Sequence, residues 1–255
     1  MTAIFKREFL SFFRNPVGYV VIALFSFISG VYFVNMLMNI SVDISLEIIS
    51  LRSFFIIIVP IVTMGLFSED RKKGTEVLYY TNPITMFDVV AGKFLAAMSL
   101  IFVMFINVFI HMIVTKAFGG VVGAGDFGAA IVFFFLAALF VAIGCFASAL
   151  TESQIISALL CFLFILVIQM LSTFASFLNS SVSSVLILMN VDSEKANAFG
   201  SGLADVISWL DPFVKTQRFR FGVFGVAPLF FCLSMAVFFL YLTFRMLEKK
   251  RWSQR

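Results

Sequence analysis

An all-α polytopic membrane protein is the fold class this sequence predicts, and three observations carry it. The chain is 62% hydrophobic and only 13% charged, whereas soluble domains run near about 45–50% apolar and about 25% charged; such a domain has nowhere to hide 36 phenylalanines. Six apolar stretches reach or approach the roughly 20 residues that a spanning helix needs. The basic residues sit at the ends of those stretches rather than along one polar face, so the net charge of +4 reads as membrane topology and not as nucleic-acid binding.

Along the chain, residues 1–16 come first as an amphipathic helix, read as a membrane-surface anchor that orients the first span, with a connecting helix that touches a cytoplasmic partner as the alternative. Phe5, Phe9, Phe12 and Phe13 share one side, and Arg7, Ser11 and Arg14 the other. Six spans follow, at about 17–37, 51–67, 89–115, 127–150, 155–178 and 223–244. The second is the weakest, being short and interrupted by Pro60; it reads as a kinked span, with a re-entrant segment as the alternative. Residues 68–85 are a charged cytoplasmic segment that Pro83 closes before the third span. Residues 179–222 form an outer segment of short interfacial helices, in which Arg218 and Arg220 read as snorkelling side chains. Residues 245–255 are a basic cytoplasmic tail. Lys and Arg number 12 on the side of both termini, counting Lys93 at the start of the third span, against 6 on the other. Both termini are therefore expected in the cytoplasm.

The usual chemical motifs are missing. "GAGDFG" at 123–128 has the letters of a dinucleotide fingerprint but joins two spans, with no strand before it, and reads as a flexible loop. No phosphate-binding G-x-x-x-x-G-K-[ST] loop occurs. His111 is the single histidine, expected as a packing residue and not a metal ligand. No Asp or Glu lies well inside a predicted span, which argues against coupling to a proton or sodium gradient. Asn107 and Gln169 read as interhelical hydrogen bonders. Cys145, Cys161 and Cys232 read as small core residues. The small residues Ala137, Ala138, Ala142, Gly144, Ala147 and Ser148 suit the fourth span to close packing.

A membrane chain with no energy source of its own and a dense cytoplasmic charge cluster, "SEDRKKGTE" at 68–76, points to an external motor. "KREFLSFFRNPVGY", "PIVTMGLFSEDRKKGTEVLYYTNPITMFDVVAGKFLAA" and "LYLTFRMLEKKRW" together resemble the membrane subunit of type-2 ABC exporters, of the gliding-motility permease subfamily. The resemblance implies a dimer of two copies or of two homologous permeases, each seated on a separate ATP-binding subunit that holds ATP and Mg. This chain itself would carry no cofactor, catalytic residue or metal, and would lie in a bacterial cytoplasmic membrane. An auxiliary subunit with a large outer domain is a further partner the likeness allows.

Residue by residue, the resemblance puts a coupling helix at 68–80, with Glu69, Arg71, Lys72, Lys73, Gly74, Thr75 and Glu76 against the motor. Phe5, Arg7 and Arg14 on the connecting helix would join them. The path would run between the halves along the second and fifth spans, past Phe55, Ile58, Met64, Gln169, Thr173 and Phe174. One departure is that the family's Gly-Thr-x-Glu would place an acid at Val77, whereas this chain has Glu76. An apolar, Phe-rich path suits a lipid, peptide or other amphipathic cargo. The alternative reading is a non-transporting scaffold of an envelope or motility complex.

Overall fold

The computed structural model describes residues 1–39, 42–77, 79, 84–189, 192–221 and 225–253. Among these residues the chain is entirely helical. The sequence runs through α1 (Thr2–Arg14), α2 (Pro16–Met38), α3 (Ile44–Ser53), α4 (Phe55–Thr63) and the single turn α5 (Ser68–Lys72). It continues through α6 (Met86–Ala117), α7 (Ala124–Leu150), α8 (Gln154–Leu188), α9 (Ser193–Ser208), α10 (Pro212–Thr216), a 3-10 turn (Gln217–Phe221) and α11 (Val226–Ser253). Five helices, α2, α6, α7, α8 and α11, are each long and apolar enough to cross a bilayer; α3 and α4, bent by 56° between them, are so only when taken together, as a broken span or a re-entrant loop. This is an all-α, multi-pass membrane protein. Pro83, residues 222–224 and the last two residues of the basic tail lie outside the described residues.

The fourth span, α7, is the centre of the molecule. Most of its length is buried, and α3, α4, α6, α8 and α11 pack around it. Its small residues make that possible. A side chain at Gly144 would place its Cβ 2.2 Å from Thr63 Oγ1, so only glycine lets α4 approach this closely. Phe25, Phe55, Phe105 and Phe133 interlock beside α7, with Phe55 and Phe133 centroids 4.7 Å apart.

Three features differ from the sequence expectation. The second span starts at Ile44, and its break falls at Phe54, not at Pro60. The Phe54 N–H bonds the Leu51 carbonyl three residues back, at 3.1 Å, a tight turn that ends α3. The carbonyl of Ser53 is released there and accepts a hydrogen bond from Gln169 Nε2 at 3.3 Å. A broken span is tolerated where a neighbouring helix takes up freed backbone groups in this way. Pro60 sits inside α4. The fifth span runs on to Leu188, about 52 Å at 1.5 Å per residue, well beyond a hydrocarbon core of about 30 Å; α9 then folds back along it. "GAGDFG" opens α7 and is no loose loop, because Asp126 Oδ2 accepts from the Gly123 N–H at 2.8 Å.

Candidate functional site

The connecting helix, the charged segment after the second span and the start of the third span meet at one point. Lys93, two turns into α6, keeps 1% of its side chain exposed. Its ammonium reaches Asp70 Oδ2 at 2.5 Å and Glu8 Oε1 at 3.1 Å, and also donates to the carbonyl of Leu66. Arg7 bonds Glu8 through Nε at 3.0 Å, lies 3.3 Å from Asp70 and donates to the Tyr79 oxygen. The Tyr79 hydroxyl in turn donates to Asp70 at 2.6 Å, and Thr75 Oγ1 to the other Asp70 oxygen at 2.9 Å. Two acids thus share two cations across α1, α5 with the turn after it, and α6. Buried charges persist only when paired and hydrogen-bonded in this fashion.

The electrostatics follow from that arrangement. Burial pulls the Asp70 carboxyl up, but the Lys93 ammonium with the Tyr79 and Thr75 hydroxyls outweighs it and holds Asp70 below the usual aspartate range. Burial, aided by the Asp70 charge, pushes the Tyr79 phenol up to about 12. Burial also works against the charge of Arg7, yet Glu8 and Tyr79 overcome it and raise the guanidinium above its usual value.

A second set of bonds fixes the charged segment to the end of α7. Ser148 Oγ accepts from the N–H groups of Phe67 and Ser68 at 3.0 and 3.2 Å, and donates to the Met64 carbonyl at 3.1 Å. The Arg71 guanidinium donates to the Ala149 carbonyl at 2.7 Å. It thereby satisfies a last-turn carbonyl and places a cation at the negative end of the helix dipole. Gly74, in the left-handed region at φ 67°, then reverses the chain, and the Asp70 carbonyl accepts from Thr75 and Glu76 N–H at 2.9 and 3.3 Å.

Several residues expected to face a partner are therefore engaged within the chain. Arg71 is turned inward, bonded to Ala149 and 3.4 Å from Glu76, because the end of α7 offers it unpaired carbonyls. Thr75 is spent on Asp70. Lys72, Lys73, Gly74 and Arg14 stay exposed, and Glu69, half-buried, pairs with Lys73 at 2.5 Å. The expected 68–80 helix is interrupted: Ser68–Lys72 is helical, the chain turns at Gly74, and Val77 and Tyr79 are helical again; Leu78 and Tyr80 lie outside the described residues. On α1 the buried line is Ile4, Glu8 and Phe12, while Phe5, Phe9 and Phe13 form a half-buried aromatic row beside it.

Two of the path residues are also corrected. Phe55 and Ile58 are wholly buried, because α4 is packed between α7 and α8; they face this subunit's own core. Gln169 serves the break at Ser53. Thr173 and Phe174 are exposed on α8. Met64 lines a cavity of about 290 Å³ between α1, the end of the second span and the start of α8, with Glu8, Asn15, Gly65, Glu69 and Gln154 around it.

Sequence reading missed Glu8, Asp70, Tyr79, Lys93 and Ser148. Lys93 was counted as topology, and Glu8 breaks the amphipathic pattern of α1. An acid four residues from Ile4 and from Phe12 on one helical face is the signal that would have found it.

A multi-helix membrane body whose termini, charged turn and ionic cluster gather at one end defines the class of a polytopic membrane subunit docked from one side. The model of the family described as "ABC-2 family transporter protein" matches residues 2–252, and the chain belongs to that family. It is thus a permease component of an ABC transporter, of a kind that is typically a non-catalytic membrane subunit working with an ABC ATP-binding subunit. No curated protein matches the chain.

Proposed function

We propose that this chain is the permease of an ATP-driven exporter of the gliding-motility subfamily, forming its path as a pair of permeases above separate ATP-binding subunits. The termini face the cytoplasm of a bacterial cell, and ATP with Mg is held in the partner. The observation that carries this reading is the Lys93 cluster. It ties the connecting helix, the charged turn and the third span into one block, with Lys72 and Lys73 exposed on the block's edge. A push delivered at that edge moves α5, and α5 takes α7 with it through Arg71 and Ser148. The exposed contacts are Arg14, Lys72, Lys73 and Gly74, with half-buried Glu69 paired to Lys73 beside them; Arg71, Thr75 and Glu76 act one step behind them by shaping the turn.

The cargo is amphipathic, a lipid or peptide. The apolar face of α8 that carries Phe174 is open in a single subunit and suits the seam between the two permeases. The test is co-expression with the ATP-binding subunit. Wild type should copurify with it stoichiometrically, and charge reversal at Lys72 and Lys73 should abolish coupled ATP hydrolysis while leaving thermal stability unchanged. A wild-type chain that hydrolyses ATP with its partner yet moves no cargo would favour the scaffold reading. Full coupling in the reversed variant would overturn the docking surface.

A further inference from the structure

At the opposite end of the molecule from Lys93, a second buried ionisable group serves neither the fold's hydrophobic logic nor the coupling block. Glu47, on α3, has no exposed surface. Its Oε1 accepts from the Ser29 hydroxyl of α2 at 2.6 Å and lies 2.7 Å from His111 Nδ1 of α6. Its Oε2 has no hydrogen-bond partner. The His111 ring is stacked on Phe33 with centroids 4.1 Å apart and planes 4° off parallel.

A carboxylate inside a membrane helix bundle is expensive and marks a functional site by default. Its second oxygen has no partner among the described residues, which adds to the cost of burying it. No other charge among the described residues is seen to pair with it; at α10, whose Phe213 lies under Arg52 of α3, Asp211 acts on Arg52 and Lys215 lies over the Trp209 ring. Helix α2 and α4 carry no charged side chain, and on α6 the next charge, Lys116, is exposed. Asp126 on α7 is bound to the Gly123 N–H. On α3 itself, Arg52 lies over the Phe213 ring at 5.0 Å and Asp43 caps the helix through the Leu46 N–H. Among the described residues, His111 is the ionisable group in contact with Glu47.

We propose that Ser29, Glu47 and His111 form a proton-binding site that latches α3, the movable half of the broken second span, to the first and third spans. An ionised Glu47 only accepts, so Nδ1 carries the hydrogen it donates to Oε1, and the proton taken up from water goes to Nε2. With that proton the site is a neutral imidazolium–carboxylate pair and α3 is docked. Without it the site holds one net negative charge among apolar side chains, which is unfavourable and is relieved by swinging α3 about the bend at Phe54.

Because the chain has one histidine, ring 15N signals of histidine-labelled full-length protein in lipid nanodiscs report this site alone. From pH 5 to 9 the wild-type ring should change from two protonated nitrogens to one. Over the same interval, amide exchange of residues 44–53, corrected for its intrinsic pH dependence, should rise about tenfold or more as α3 is released. In Glu47→Gln, exchange of α3 should no longer follow the protonation of the ring. In His111→Asn, exchange of α3 should not follow pH. A wild-type ring held in one protonation state throughout overturns the proposal. So does α3 exchange that ignores the ring's titration, or that follows pH equally in both variants.

Discussion

Replacing Lys93 with methionine removes the cation that Glu8 and Asp70 share and leaves its length and apolar stem in place. Glu8 and Asp70 then lose partners at 3.1 and 2.5 Å. Removing one member of a buried ion pair costs about 3–5 kcal/mol, because the remaining charge stays buried without compensation. Here Arg7 still reaches both acids, at 3.3 Å from Asp70, and its side chain is 45% exposed, so the lower end, about 3 kcal/mol, is expected. Reversible unfolding in mixed micelles, titrated with a denaturing detergent, measures the loss. A cycle with Asp70→Asn should return a coupling energy near 2 kcal/mol, in the range found for residues sharing one network. The same variant should release the ATP-binding subunit more readily, since α1 and α5 are no longer tied to α6. If Lys93→Met unfolds within about 0.5 kcal/mol of wild type, the size of a neutral surface change, the block is not held together as described.

Acid should loosen the same block. Asp70 is held below its ordinary value of about 3.9, so its contribution is complete above that pH and is lost as pH falls through the lower folded value. Tyr79 works in the opposite sense. Raised to about 12, it contributes fully below its unfolded value of about 10 and is lost as pH rises through 12. The unfolding temperature in detergent should therefore fall from pH 5 to pH 3 more steeply in wild type than in Asp70→Asn. Gly144→Ala should cost about 1–3 kcal/mol by overpacking, since its Cβ would lie 2.2 Å from Thr63 Oγ1; Thr63→Ala in the same chain should recover part of the loss.

The spans were legible because hydrophobic length is a local property of the sequence. The small-residue face of α7 was legible for the same reason: Gly144 and Ser148 stand where a neighbour must come close. Asn107 and Gln169 each bond another helix, to Ser26 and to the Ser53 carbonyl. The ionic cluster was illegible because its members are far apart in the chain, with Glu8 and Lys93 meeting only once α1 lies across α6. Arg71 shows the limit most clearly. A cation in a charged run reads as solvent-facing, and only the position of Ala149 shows that a helix end claims it first. Glu47 escaped notice because α3 was read as a loop before the span; once the helix starts at Ile44, an acid that looked external becomes internal.

The clasp between Arg71, Ser148 and the end of α7 sets a gear ratio for the whole molecule. At 1.5 Å per residue, the 27 residues of α7 make a rod about 40 Å long, gripped at one tip and sheathed by other helices along most of its length. If the grip tilts the rod by about 10°, its far tip travels about 7 Å, more than one helical turn of 5.4 Å. The tip that moves is the one beside α3. On the function proposed above, a tilt imposed at the charged turn would be carried to the far side of the bilayer by the length of the rod, with no need for a relay of intermediate contacts. Shortening the rod by one turn would reduce the stroke in proportion.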